Sequence, residues 1–378
     1  MITLAVTAER ADEPRIGLTP ETAKKLIGKG CRVRVQSGAG LRSRFADGDF
    51  AAVGAEIAGS TGDTLNGADI LLKVRRPEPG EVSALKKGAI IVAMLEPFGD
   101  RPGLDAMAGA GVTSFAMELM PRISRAQSMD VLSSQSNLAG YKAVLDAAAL
   151  FERALPMMMT AAGTVPAARV FVMGAGVAGL QAIATARRLG AIVSATDVRP
   201  AAKEQVASLG AKFIAVEDEE FKQAETQAGY AKPMSAEYQM KQAELVAKHI
   251  AAQDIVVTTA LIPGRPAPRL VTREMVESMK AGSVIVDMAA ERGGNCELTK
   301  PGETHEHKGV RILGPLNLAG EVSVNASSLY AKNLLNFLDP LIEKDAGTLK
   351  INWDDEIIKG TLVTHDGKVV HPALQAKA

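Results

Sequence analysis

The chain has 378 residues, more than one hydrophobic core usually supports, so we expect two domains. Hydrophobic residues make up 47% and charged residues 23%, a globular balance that excludes extensive disorder. The 43 basic and 43 acidic residues cancel, and no dense Lys/Arg stripe offers the positive surface that nucleic-acid binding requires. Only two cysteines, early charges after the N-terminus and the lack of a long apolar run predict a cytoplasmic chain without a membrane span.

Short runs rich in Val and Ile recur through the first third of the chain and alternate with helix-like stretches such as PETAKKLIGKG. These predicted strands are ITLAVT (2–7), CRVRVQ (31–36), DILLKV (69–74), AIIVAML (89–95) and VTSFAM (112–117). Strands that alternate with helices require crossover connections and therefore predict a parallel sheet. We expect a first α/β domain here.

A second set of strand-like runs follows after residue 167. It comprises ARVFVMG (168–174), AIVSATD (191–197), AKFIAV (211–216), DIVVTTA (254–260), SVIVDMA (283–289) and VRILG (310–314). The same alternation predicts a second doubly wound parallel sheet. The predicted fold class is thus α/β, with two doubly wound, Rossmann-like domains.

Two long helical segments connect the predicted domains. Apolar spacing predicts one helix over residues 133–155, with Asn137 as its N-cap, and another over 327–342 that returns the chain to the first domain. We therefore assign 1–133 with 325–378 to the first domain and 134–324 to the second. A cleft between two such domains is a usual ligand site.

The strongest local signal is RVFVMGAGVAGLQAIATARRLGAIVSATD. Gly174 ends a strand, Gly176 lets a pyrophosphate approach peptide N–H groups, and Gly179 lets the following helix pack closely. Asp197 ends the next strand, where its carboxylate can bind ribose hydroxyls and repel a 2′-phosphate. The pattern predicts NAD rather than NADP, although Arg199 nearby weakens that preference. A packing turn with no ligand is the alternative interpretation.

Two polar stretches interrupt the alternation. Residues 217–242 extend a connection well beyond the usual length, which predicts a functional flap or, alternatively, a disordered insert. Residues 117–137, MELMPRISRAQSMDVLSSQSN, follow a strand and precede the long connecting helix. By composition alone, a solvated loop with a helix cap explains this second stretch as well as a functional segment does.

The run PRISRAQSMDVLSSQSNLAGYKAV, with TAAGTVPAARVFVMGAGVAGLQAIATARRLGA and TTALIPGRPAPRLVT, closely resembles the NAD(H)-binding subunit of proton-translocating transhydrogenases. That family is related to the alanine dehydrogenases. The likeness extends from RIGLTPE near the start to the tail THDGKVVHPAL, so it covers essentially the whole chain.

The resemblance implies a set of NAD(H)-binding residues. Those at the nicotinamide end are Arg122, Gln127, Asp130 and Ser133, with Ser128 and Met129 on the same segment. Those at the adenosine and pyrophosphate end are Val177, Asp197, Val198 and Arg199, beside the glycines Gly174, Gly176 and Gly179. The rest of the site is implied to include Gly229, Gln242 and Leu261, with residues 229–242 forming a mobile loop that carries Tyr230 and Met234.

The resemblance also implies a reaction and partners. In such enzymes hydride passes from NADH on this subunit to NADP⁺ on a separate domain, and a membrane domain couples the step to proton movement. The chain is then expected to form a homodimer and to lie on the inner face of the cell membrane through its partner subunits. Direct transfer between two nicotinamides needs no general acid or base, so the segment around Arg122 orients the ring. We predict no metal site, because His305 and His307 fit a polar turn better than a ligand set.

Two alternatives remain open. An alanine dehydrogenase needs an acid–base group and cations for a carboxylate, which that family provides with Arg, Lys, His and Asp. Arg15 and Lys73 match the cations, but the histidine region reads VAMLEPF, with Glu96 and no imidazole. Asp287 or Glu291 could stand for the acid, although Asp287 fits a structural role better. The other alternative is a non-catalytic NAD-binding or assembly module.

Overall fold

Both sets of predicted strands form parallel sheets, and each sheet belongs to its own unit of the chain. The computed structural model describes residues 1–224, 234–262, 264–343 and 346–375. Met1–Gln135 and Gly320–Ala378 make up the first unit, and Ser136–Ala319 make up the second. The α/β fold class with two Rossmann-like parallel sheets is confirmed.

The strands are short and the helices between them cover the sheets. In chain order the strands are β1 (Thr3–Val6), β2 (Arg32–Gln36), β3 (Glu56–Ala58), β4 (Ile70–Leu72), β5 (Ile90–Ala93), β6 (Thr113–Ala116), β7 (Met158–Thr160), β8 (Gly163–Val165), β9 (Arg169–Met173), β10 (Ile192–Thr196), β11 (Lys212–Phe213), β12 (Ile255–Thr258), β13 (Val284–Asp287), β14 (Thr304–His307), β15 (Val310–Leu313), β16 (Ile342–Glu343), β17 (Thr348–Leu349), β18 (Leu362–His365) and β19 (Lys368–Val369). The α-helices are α1 (Pro20–Ile27), α2 (Asp47–Ala52), α3 (Thr61–Leu65), α4 (Pro79–Ala84), α5 (Arg101–Gly109), α6 (Val131–Leu150), α7 (Val177–Arg188), α8 (Ala202–Ser208), α9 (Glu219–Lys222), α10 (Ala236–Ile250), α11 (Arg273–Ser278), α12 (Ser323–Leu338) and α13 (Glu356–Thr361).

The sheet of the first unit has the order β3-β2-β1-β4-β5-β6-β18-β19, in which β1 to β6 pair in parallel and β18 pairs antiparallel with β6. Successive residues of β1 point to opposite faces. Leu4 and Val6 pack with Leu26 and Tyr330, whereas Ala5 packs in a separate cluster on the other face. Both faces are therefore covered by apolar side chains, as a parallel sheet requires.

The sheet of the second unit has the order β11-β10-β9-β12-β13-β15-β14, and strand order reverses beside β9. Val170 and Val172 of β9 pack on one face, and Phe171 and Met173 pack on the other. In open sheets of this kind ligands bind beyond the carboxyl ends of the strands, at the point of reversal. The turn after β9 begins at that point.

The polar turn predicted around His305 and His307 is wrong, because these residues form β14 at the sheet edge, antiparallel to β15. Alternation of side chains explains the misleading polarity, since an edge strand can expose one row of polar groups. His307 Nε2 lies 2.9 Å from Glu277 Oε1. Among the described residues, no group of three or more His, Cys, Asp or Glu side chains is arranged to hold a metal ion.

The connecting helix α6 begins at Val131, so the prediction of Asn137 as its N-cap is wrong. The carboxylate of Asp130 accepts the N–H of Ser133 at 2.9 Å, as an N-cap side chain does. Asn137 lies inside the helix, where apolar spacing continues past it. The return helix is α12, which begins a little earlier than predicted. In the described part of the chain, no helix has both the length and the apolar character needed to cross a bilayer.

The flap predicted over 217–242 is wrong for its last residues, since α10 begins at Ala236. Ser235 caps this helix by accepting the N–H of Tyr238. The short helix α9 also falls within the stretch. Gly229 and Tyr230 lie outside the described residues, while Gln242 lies on α10 rather than in a loop.

Candidate functional site

The turn between β9 and α7 is shaped by its three glycines. Gly174 has a φ of +104°, which favours glycine, and a Cβ there would meet Thr259. A Cβ on Gly179 would overlap the carbonyl oxygen of Gly174. Gly176, by contrast, has nothing within 4 Å of an added Cβ. Gly174 and Gly179 are therefore required for chain packing, whereas Gly176 leaves open space in front of the turn.

The N-terminus of α7 faces that open space without a side-chain cap, because its N-cap residue is Gly176. The first N–H groups of a helix have no partner within the helix and carry partial positive charge. A twelve-residue helix with this end uncapped suits a phosphate. The turn therefore fits the pyrophosphate of a dinucleotide.

Asp197, the residue after β10, ties the turn to the next strand. Its carboxylate accepts the N–H of Ala175 at 2.7 Å and the N–H of Arg199 at 2.9 Å. The guanidinium of Arg199 also forms a two-point ion pair with it, at 2.9 and 3.0 Å. The sequence predicted that the Asp197 carboxylate binds ribose hydroxyls. In the structure Arg199 already bonds to this carboxylate and offsets part of its negative charge.

Exposed apolar side chains lie around the carboxyl ends of β9, β10 and β12. Val177, Val198 and Leu261 are 40%, 49% and 55% exposed. Gln242 of α10 supports the same edge, since its amide donates to Thr196 Oγ1 at 3.1 Å and accepts the N–H of Val216 at 2.9 Å. An apolar rim with a few fixed polar groups is typical of a small-molecule site.

The segment after β12 is held by residues that the sequence did not single out. Thr259 Oγ1 donates to the carbonyl of Gly174 at 3.0 Å. Asn295, fully buried, accepts the N–H of Ala260 and donates to its carbonyl, at 3.0 and 2.9 Å. Asp287 is also fully buried and accepts four hydrogen bonds, one from Thr258 at 3.0 Å, which favours the structural role expected for it. Asn295 gave no sequence signal, because a buried amide after a glycine pair has no characteristic spacing.

The second group of candidate residues lies in the 122–133 segment of the first unit. Ser124–Met129 form a 3-10 helix, with Ala126 and Met129 buried in the core and Arg122, Gln127 and Ser128 exposed. Asp130 is half-buried at the start of α6, where Ser133 Oγ donates to it at 2.5 Å. Arg125 makes a two-point ion pair with Asp355 at 2.7 and 2.8 Å. The predicted residues Gln127, Asp130 and Ser133 thus lie on the 3-10 helix, at its end and in the first turn of α6, and Arg122 precedes them.

A buried cluster of charges lies in the same unit, around Arg15 and Lys73. Arg15 donates to both carboxylate oxygens of Glu13, at 2.7 and 2.6 Å, and to Gln135 Oε1 at 2.8 Å. Lys73 Nζ contacts Glu81 at 3.0 Å, besides Thr7 Oγ1 and the carbonyl of Ala8. Burial alone would raise the pKa of Glu13, but Arg15 and a second arginine lower it to about 2. Both cations are therefore neutralised inside the protein.

Glu96 takes the position where the alanine dehydrogenases were expected to carry histidine. Its φ of +49° lies in the left-handed region, and its carboxylate pairs with Arg75 at 3.0 Å. Glu118 stabilises this conformation, because one of its oxygens accepts the N–H groups of Leu95 and Glu96 at 2.8 and 2.6 Å. Burial raises the pKa of Glu118 to about 7. Its other carboxylate oxygen is buried with no hydrogen-bond partner among the described residues.

The chain has two doubly wound units, and the second carries a glycine turn with an aspartate after the next strand. These features place it in the class of NAD-binding, Rossmann-like oxidoreductase folds. Family models also divide the chain into two domains. Residues 5–139 match the alanine dehydrogenase/PNT N-terminal domain, and residues 143–372 match the alanine dehydrogenase/PNT C-terminal domain. The chain belongs to the alanine dehydrogenase/PNT family.

Relatives within this family differ in how similar they are. The chain is 55% identical over 377 residues to the first part of NAD(P) transhydrogenase subunit alpha of Rhodospirillum rubrum, covering 98% of each chain. A crystal structure of transhydrogenase from Sinorhizobium meliloti has 59% identity and a TM-score of 0.89, covering 98% of this chain and 100% of the other. An L-alanine dehydrogenase structure has 25% identity and a TM-score of 0.83, covering 99% and 98%. The resemblance predicted from the sequence is confirmed.

Proposed function

We propose that this chain is the NAD(H)-binding component of a proton-translocating transhydrogenase, in which hydride passes directly between NADH here and NADP⁺ on a partner domain. The observation that carries the proposal is the 55% identity to the first part of a transhydrogenase alpha subunit, over 98% of both chains. Identity to the alanine dehydrogenase structure is 25% at nearly the same coverage. The polar contacts within each unit, described next, also support a transhydrogenase component over an alanine dehydrogenase.

The glycine turn is proposed to hold the adenosine and pyrophosphate half of NAD(H). The uncapped N-terminus of α7 would receive the pyrophosphate, while Asp197 would accept hydrogen bonds from ribose hydroxyls. Val177, Val198 and Leu261 would cover the apolar faces. Because Arg199 already pairs with Asp197, the carboxylate is fixed in position before a ligand arrives. Gly229, Tyr230 and Gln242 are proposed to complete this half.

The 122–133 segment is proposed to hold the nicotinamide end through Arg122, Gln127, Asp130 and Ser133, with Ser128 and Met129 contributing from the same turn. NAD(H), when bound, supplies the hydride donor or acceptor. A direct transfer moves no proton onto oxygen or nitrogen, so these side chains would orient the carboxamide and exclude water. A short 3-10 helix that leads directly into α6 suits that task, since orientation requires rigid supports.

The alanine dehydrogenase alternative requires cations that are available to a substrate carboxylate. Arg15 directs its guanidinium at Glu13 and Gln135, and Lys73 directs its ammonium at Glu81, Thr7 and Ala8. Arg15 and Lys73 are only 3% and 2% exposed. Binding a carboxylate would require breaking buried ion pairs, which leaves the remaining charges unpaired at a cost of several kcal/mol. These contacts favour transhydrogenation over amino-acid oxidation.

Reconstitution tests the proposal. The purified chain is mixed with the NADP-binding partner domain, NADH and an NADP analogue with a distinct absorption spectrum. We expect hydride transfer that requires both proteins, and no alanine-dependent reduction of NAD⁺ by the chain alone. Binding of NADH without any transfer would count against the proposal, and steady alanine oxidation would favour the dehydrogenase alternative. Transfer that survives loss of Arg122 and Asp130 would instead favour a non-catalytic NAD-binding module.

The proposed assembly includes a homodimer of this chain, one NADP(H)-binding domain and a membrane domain that moves protons. The chain would then lie at the inner face of the cell membrane through these partners. Sedimentation velocity of the isolated chain checks the dimer, with a single species near twice 39.6 kDa as the expected result. Release of the chain from membranes by high salt, without detergent, is the expected behaviour of a peripheral component.

A further inference from the structure

Two asparagine side chains of α12 converge on one backbone carbonyl of the 122–133 segment. Asn333 Nδ2 donates to the carbonyl oxygen of Ser128 at 2.8 Å, and Asn336 Nδ2 donates to the same oxygen at 3.0 Å. A carbonyl oxygen has two lone pairs, so both are used. This carbonyl belongs to Ser128, which is itself proposed to contribute to the nicotinamide end, and it lies between Gln127 and Asp130 along the chain.

Asn333 also connects the segment to the interior of the first unit. Its amide oxygen accepts Ser134 Oγ at 2.7 Å, and Gln135 Nε2 donates to that hydroxyl at 3.1 Å. Gln135 in turn accepts the guanidinium of Arg15 at 2.8 Å. Asn333 and Gln135 are each 7% exposed and Arg15 is 3% exposed, so these three side chains are shielded from water and each costs free energy if it loses its partner.

We propose that Asn333 and Asn336 are positioning residues for hydride transfer, which fix the 122–133 segment so that Gln127 and Asp130 face the nicotinamide. The inference rests on the proposed function. Apolar burial anchors the segment at Ala126, Met129 and Val131, and burial has little directional preference. The two amide donors add the direction, because a hydrogen bond weakens steeply when its angle changes. Arg15, matched in sequence to a substrate cation, thereby supports this positioning network.

The test compares variants of α12 in the reconstituted transfer assay. Asn336→Ala removes one donor at a half-buried position of α12, and Asn333→Ala with Asn336→Ala removes both. A displacement of about 1 Å can cost up to about 100-fold in rate, so we expect the double variant to lose roughly 10- to 100-fold in hydride transfer and the single variant less. Asn336→Gln keeps the amide donor and should recover most of the single variant's loss. Ser328→Ala is the matched control, because its hydroxyl donates to the carbonyl of Val324 within α12.

The readouts separate positioning from folding. We expect the Kd for NADH and the thermal midpoint of Asn336→Ala to stay close to wild type, while backbone amides of 124–130 exchange faster with deuterium. The inference would be overturned if Asn336→Ala and the double variant transferred hydride at the wild-type rate. It would also be overturned if Asn336→Gln lost as much of the transfer rate as Asn336→Ala. A fall in rate that only parallels a fall in thermal midpoint would also overturn it. Absence of transfer by the wild-type chain would instead contradict the proposed function itself.

Discussion

The two candidate binding regions of this chain are built in different ways. In the second unit the glycine turn is made of backbone, and its geometry depends on residues close in sequence, Gly174 to Gly179. In the first unit the 122–133 segment depends on side chains that follow it by more than 190 residues, Asn333, Asn336 and Asp355. The turn has no room for a side chain at Gly174 or Gly179, whereas a segment held by side chains can lose its supports one at a time. The two regions should therefore fail differently when mutated.

The two units also differ in how many charged residues they bury. Glu9, Glu13, Arg15, Lys73 and Glu81 are all buried in the first unit. Of the charged residues described in the second unit, Asp287 alone is fully buried. Buried ionisable groups couple stability to pH when their pKa values change on folding. The first unit should thus carry most of the chain's response to pH.

The largest effect is expected for Gly179→Ala. The added Cβ would overlap the carbonyl of Gly174, so the helix must move away from the strand or the turn must open. Overpacking of this kind usually costs about 1–3 kcal/mol and occasionally more, and it also displaces the N–H groups meant for the pyrophosphate. We expect NADH binding to fall below detection by calorimetry, together with a lower thermal midpoint.

Gly176→Ala distinguishes binding from folding, because its Cβ would meet no atom of the protein. We expect a thermal midpoint near that of wild type with NADH binding weakened at least about 10-fold, since the methyl group would occupy the space proposed for the pyrophosphate. Gly48→Ala, where an added Cβ also meets nothing, serves as a control for both measurements. For the preceding prediction, normal NADH binding by Gly179→Ala would show that the glycine turn only serves the packing of the chain.

The same contrast explains what the sequence could predict. Strands β1, β2, β4 to β6, β9 to β13 and β15 were predicted, because alternating runs and glycine turns are local signals, whereas β3 was not predicted and β14 was taken for a turn. The start of α6 was missed because the polar residues Ser133 and Ser134 looked like a loop, although Asp130 already caps the helix. The hydrogen bonds from α12 to Ser128 could not be predicted from the sequence, since periodicity predicts a helix but not its partner. The sequence could thus suggest the residues of the candidate site, but not the contacts that orient them.

Asp130→Asn is expected to have the next largest effect, and on transfer rather than folding. Asparagine caps helices about as well as aspartate, so α6 should keep its start and the thermal midpoint should change little. The lost charge should reduce hydride transfer in the reconstituted complex by about 10- to 100-fold, if this carboxylate orients the ring. Asp100→Asn, at the N-cap of α5, is a matched change on which transfer should not depend. Full activity of Asp130→Asn would remove this residue from the proposed site.

Asp197→Asn should produce a moderate effect, confined to affinity and nucleotide choice. The amide cannot pair with Arg199 at two points, and it would weaken the proposed charge-assisted bonds to ribose hydroxyls, each worth roughly 1.5–3 kcal/mol. We expect NADH to bind about 10-fold more weakly, while the ratio of NADPH to NADH affinity rises because a negative charge has gone. Calorimetric titration with both nucleotides measures this, with Asp12→Asn as a surface control. An unchanged ratio would argue that Asp197 does not select the nucleotide.

Glu118→Gln should have the smallest effect, on the pH dependence of stability. Burial raises the pKa of Glu118 from 4.5 to about 7, so the folded state binds this proton more tightly than the unfolded state. The resulting stabilisation is complete below pH 4.5 and is lost as the pH rises toward 7, by at most about 3 kcal/mol. Glutamine keeps an oxygen for the N–H groups of Leu95 and Glu96 but cannot ionise. We therefore expect the variant to exceed wild type in stability at pH 8 and to match it near pH 5.

His249 of the second unit provides a comparison of opposite sign. Burial lowers the pKa of this imidazole, with help from Lys212 and Arg169, so its contribution is present above pH 6.5 and is lost as the pH falls. Urea unfolding at pH 5 and pH 8 should then show Glu118→Gln flattening the decline in stability with rising pH, while His249→Gln makes that decline steeper. If both variants moved the profile in the same direction, the two units would not differ in the way that their buried charges suggest. If neither moved it, residues other than these two would set the response, and Glu9, whose pKa burial raises to about 7, would be the first to replace.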